Sequence, residues 1–181
     1  MPNTNADLIT NHESAAYRRD ALPRLLAMLR LRNSVLDLSM GTLRQVRITR
    51  IECFRFDSGL AEKLHPGSGS DYCCGLLKIY ANTGAAGTAQ FAIPRASLNG
   101  DLVMWANPFH RLKGLTLLEG FHYAQHKQEA WGPARFELLL TALMNVQANR
   151  EPAAAGQENE QPQYVRDRAY LLRHTQTYVV F

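Results

Sequence analysis

The chain has 181 residues, 46% apolar and 20% charged, with a net charge of +4 and three cysteines. That is the profile of one ordinary domain with appended segments, and no run approaches the roughly 18–20 apolar residues of a membrane span. An odd cysteine count, with Cys73 and Cys74 adjacent, gives no disulfide framework and points to a reduced, cytoplasmic compartment.

The opening stretch MPNTNADLITNHESAAYRRD has no apolar core of a secretory signal. Residues 1–11 read as a disordered terminus, and 12–40 as a helical extension. Asp20 is a plausible N-cap there, with Pro23 tolerated in the first turn and Leu22, Leu25, Leu26 and Leu29 on one face. An α+β domain is expected over 44–148. Its first strand lies in VRITRIECFRF, where the apolar alternation shifts phase near Thr49-Arg50, as a bulge would require. The stretch Asp57–Ser70 reads as a long irregular loop, which in a small domain is usually functional or mobile. A second strand follows over Cys73–Ala81, a hairpin signal at Asn82-Thr83-Gly84, and a third strand from Gly87 to Ile93, ended by Pro94. Short connections favour an antiparallel meander.

Past Pro94 the period becomes helical. Asp101 lies in a helix-start region, Pro108 should kink or end that helix, and Thr116 can cap the next. Gly132-Pro133 breaks this second helix, and Pro133 opens a third with Phe136, Leu139, Leu140, Leu143 and Met144 on its buried side. Residues 149–163 have a linker composition. The segment 164–181 regains apolar content, either as a helix to Leu172 and a strand from Thr177 or as one continuous helix. It should pack back on the domain or on a partner.

Val46–Leu143 resembles the N-terminal capping domain of the enolase superfamily, in its mandelate-racemase and muconate-lactonizing branch. The family's first strand looks like KITRIEVF, and here Arg47–Phe54 reads RITRIECF. Its second strand and turn look like VLVRIHTDDGIVGWGE, and here Leu76–Gln90 reads LLKIYANTGAAGTAQ. The resemblance implies an α+β cap: a three-stranded antiparallel meander followed by a helical bundle, here with an extra N-terminal helix and a C-terminal tail. The family's chemistry lies in a barrel of roughly 200 residues or more after the cap. The chain after Leu143 is too short to build one, and no set of magnesium-binding carboxylates is evident. The cap loops that would close over a substrate correspond to Asp57–Ser70 and, loosely, Gln90–Asn99.

No nucleophile–base pair stands out, and no catalytic, cofactor-binding or metal-binding residue is assigned. His122 and His126 are spaced to bind a metal but read more simply as an exposed polar face. One of Cys73 and Cys74 should point into the core. The loop residues His65, Ser68, Ser70 and Tyr72 are candidates for contacting a ligand or partner. Arg24, Arg30, Arg47 and Arg50 are a candidate basic face, read first as solvated. The expectation is a non-catalytic, self-associating binding or scaffold protein, its partners being copies of itself. The alternatives are a cap completing a separately encoded magnesium-dependent barrel, and a regulator binding nucleic acid through its arginines.

Overall fold

The computed structural model describes residues 41, 43–67, 71–98, 101–149 and 167–181, and the chain divides into a unit ending at residue 42 and a second from Leu43 to Phe181. The expectations for 1–40, including Arg24 and Arg30, lie outside the described residues, as do those for Ser68, Ser70 and the linker beyond residue 149.

Four antiparallel strands make the sheet: β1 (Ile48–Phe56), β2 (Tyr72–Ala81), β3 (Ala86–Pro94) and β4 (Thr175–Val180), in the order β3-β2-β1-β4. β-Branched and aromatic residues dominate β1, and its register against β2 shifts between Ile48 and Arg50, where the apolar alternation changes phase. Both faces of the sheet are covered. β2 is therefore buried from Cys73 to Ile79 rather than on alternate residues, and both Cys73 and Cys74 are buried, not one.

One face carries the long helix α3 (Leu117–Ala148). Its start is fixed by Thr116, whose hydroxyl accepts from the Glu119 N–H at 3.2 Å while the Glu119 carboxylate accepts from the Thr116 N–H at 2.8 Å. Gly132 interrupts the helix at φ 74°, immediately before Pro133. Phe136, Leu139, Leu140 and Leu143 are buried as expected, and Met144 is half-buried. Gly87 of β3 lies directly on the α3 backbone at Ala142 and Val146. A row of aromatic contacts runs from Phe91 to Trp105 to Phe109 to Trp131, with ring centroids 5.3, 5.7 and 5.8 Å apart. Trp105 belongs to the short helix α2 (Leu102–Ala106), whose N-cap is Asp101, and a 3-10 turn containing Pro108 follows it.

The opposite face is covered by two short helices, α1 (Ser58–Leu64) and α4 (Arg168–Arg173). Here the sequence reading needs correction: half of the expected irregular loop is helical. The Asp57 carboxylate accepts from the Leu60 N–H at 2.8 Å, so a residue read as loop punctuation is a helix N-cap. Leu60 and Leu171 join Phe54, Phe56, Cys74 and Leu76 in a second core cluster. The C-terminal segment takes the helix-then-strand alternative, its strand beginning two residues before Thr177. It adds a fourth strand beside β1, so the meander is not the whole sheet.

Candidate functional site

Antiparallel pairing brings the end of β1, the start of β2, the end of β3 and the start of β4 to one end of the sheet. A cleft of about 710 Å³ opens there. Arg55 and Phe56 enter from β1, Ala61 and Glu62 from α1, Tyr72 and Cys73 from β2, Arg95 from the turn after β3, and Gln176 from β4. The Arg95 N–H donates to the Asp71 carbonyl at 2.8 Å, which ties the chain after β3 to the residue before β2.

The charges lining this cleft are unequally committed. Asp57 caps α1, and its second oxygen lies 3.3 Å from His174 Nδ1. Glu62 accepts from the Gly67 N–H at 3.1 Å. The guanidiniums of Arg55 and Arg95 make no side-chain hydrogen bond or ion pair among the described residues. Burial pushes the Cys73 thiol up, against the opposing pull of Arg55 and Arg95. It therefore stays protonated at neutral pH, a weak nucleophile. The cleft thus offers two free cations, a phenol that is 45% exposed at Tyr72, and an amide at Gln176.

Of the two expected loop residues that are described, His65 and Tyr72, Tyr72 lines this cleft. His65 ends α1 with its Nε2 buried and without a hydrogen-bond partner among the described residues. Arg47 donates from Nη1 to the Gly114 carbonyl at 3.0 Å, and Arg50 stacks 4.0 Å from the Tyr80 ring centroid. His122 and His126 are exposed, and Glu119 is engaged in the helix cap. Among the described residues, no group of three or more His, Cys, Asp or Glu is placed to hold a metal.

Sequence reasoning counted Arg55 only among the clustered arginines, and it passed over Arg95 and a polar network on the face covered by α4. Glu52, fully buried on β1, accepts from Tyr80 Oη at 2.7 Å, Tyr178 Oη at 2.7 Å and Arg168 Nε at 3.0 Å. Burial acts to raise its pKa, but these three hydrogen bonds and the Arg50 charge outweigh it and hold the carboxyl below its usual range. Tyr80 is pushed up to about 12 by burial and by Glu52. No local signal marked this network: Glu52 and Lys78 face each other across β1 and β2 only once the strands have paired.

Comparison with protein-family models, curated proteins and solved structures finds no match.

Proposed function

We propose that this domain is a non-catalytic binding module, a relative of the enolase-superfamily cap whose ligand, a small organic anion, enters the cleft beside β2. What carries the reading is the convergence there of the β1–β2 connection and the segment after β3 around two uncommitted guanidiniums. In the family that the sequence resembles, the corresponding two segments close over a substrate. The reading of the site as non-catalytic is supported by the engagement of its carboxylates in capping and loop contacts and by the raised pKa of its thiol. Arginine pairs suit carboxylate recognition, since each guanidinium presents a planar fork of donors.

The test is calorimetric titration with a panel of small mono- and dicarboxylates at fixed ionic strength. At least one should bind, and the double variant Arg55→Ala/Arg95→Ala should lose that binding at least tenfold, which is about 1.4 kcal/mol. Equal binding by the double variant would refute the assignment.

A second reading, self-association, is favoured by the contrast between the two sheet edges. At β3 the side-chain amides of Asn145 and Asn149 donate to the Thr88 and Ala86 carbonyls at 2.7 Å each. At β4 the sequence TQTYVV carries no charge, and Val180 is 50% exposed. An uncharged open edge is a template for pairing with another strand. A dimer pairing β4 with β4 should appear in sedimentation at micromolar concentration and dissociate in Val180→Lys; a monomeric wild type would remove this reading.

A further inference from the structure

The Glu52 network has more positive charge than it needs. Arg168 Nε lies 3.0 Å and Arg50 Nε 3.6 Å from the same Glu52 oxygen, and Lys78 faces Glu52 across the β1–β2 pair. Three cations stand against one carboxylate, while the two phenol protons are already given to that carboxylate. Among the described residues the excess is two positive charges, with the Arg50 and Arg168 side chains 43% and 45% exposed.

Lys78 is the telling member. It is only 9% exposed, and its ammonium makes no hydrogen bond or ion pair among the described residues; its nearest feature is the Tyr80 ring, 5.2 Å from Nζ to the centroid. Arg50 Nε, beside it, is buried without a hydrogen-bond partner among the described residues. A buried donor left unpaired is costly, so this nitrogen, next to a lysine ammonium with no bonded partner, marks a place where an anion is expected. Glu52 meanwhile fixes Arg168 through Nε, and the Tyr178 hydroxyl, which accepts from Arg168 Nη2 at 3.1 Å, fixes it again. The donors are therefore held in position before any ligand arrives.

We propose that Arg50, Lys78 and Arg168 form a binding site for a small phosphate-type dianion, with Glu52 as the residue that positions the two guanidiniums. A dianion matches the uncompensated charge, and tetrahedral oxygens can accept from the free Lys78 ammonium and from both arginine forks at once. Glu52 does not touch the ligand in this arrangement. The site is separate from the Arg55–Arg95 cleft and stands or falls independently of it.

Thermal unfolding of the full chain tests this, with inorganic phosphate, inorganic sulfate or glycerol phosphate added against sodium chloride at matched ionic strength. At about ten times its Kd a bound dianion should raise Tm by about 4 °C over the chloride control. Inorganic phosphate acting more strongly identifies the free ion as the ligand, and glycerol phosphate acting more strongly identifies a phosphoryl group on a larger molecule; either supports the site. Lys78→Met should fold, because no partner is lost, and should abolish the shift; Arg50→Met should weaken it. Arg95→Ala, in the separate cleft, should retain it. No shift beyond chloride with any of the three anions, or a shift that survives Lys78→Met, overturns the proposal, as does one abolished by Arg95→Ala.

Discussion

Glu52 shows how a single buried charge is kept in a sheet. Its carboxylate accepts from two phenols and a guanidinium, which replace the water lost on burial. Because its folded pKa lies below the ordinary glutamate value, its contribution is complete above about pH 4.3 and is lost as pH falls through the lower folded value. Glu52→Gln should therefore cost about 2 kcal/mol at neutral pH and flatten the acid limb of stability in urea titrations. A variant as stable as wild type at pH 7 would show that the network contributes nothing. Lys78 has the opposite dependence. Burial lowers its pKa, Glu52 opposes this, and Arg50 and Arg168 add to the lowering. The unfolded chain thus binds that proton more tightly, and stability should rise with pH between the lowered value and the ordinary value of about 10.4. In Lys78→Met that rise should be reduced. Neither residue was legible as buried, because Glu and Lys on a strand read as its solvent side. The side chains that cover them include Arg168, 116 positions from Glu52.

At the scale of elements, the signals that were legible were local ones. The phase shift in β1, the cap at Thr116 and the break at Gly132-Pro133 each follow from the chemistry of adjacent residues. Thr116→Ala should accordingly lower stability by about 1 kcal/mol through loss of the cap, measurable by chemical denaturation. What escaped were α1, whose seven residues are too few to display a period, and the pairing of β4 with β1, which no local pattern announces. Gly87 belongs to the same class. The sequence shows it as the first residue of a strand, whereas the structure uses its lack of a side chain to let α3 lie against β3. Since the nearest atoms there are α3 backbone, Gly87→Ala should destabilise by about 2 kcal/mol or more. A neutral result would mean that the helix can move away without loss.

The whole domain is a sheet covered on both faces, with short segments that belong together only after the chain has folded. α1 and α4 cover the same face although more than half of the described sequence separates them, and Leu60 meets Leu171 in one cluster. That covering buries the second face of the sheet with the chain's own helices. It leaves one end of the sheet open, where Arg55 and Arg95 stand uncommitted beside Tyr72. The fold class was readable from strand and helix order, but the cleft was not, since its lining comes from β1, β2, β4, α1 and the turn after β3. The most direct test of the binding account is calorimetric titration of the wild type and of Arg55→Ala/Arg95→Ala with the carboxylate panel. The account predicts saturable binding of at least one small carboxylate that the double variant loses at least tenfold. Absence of binding by the wild type across the panel, or equal binding by both proteins, would contradict it.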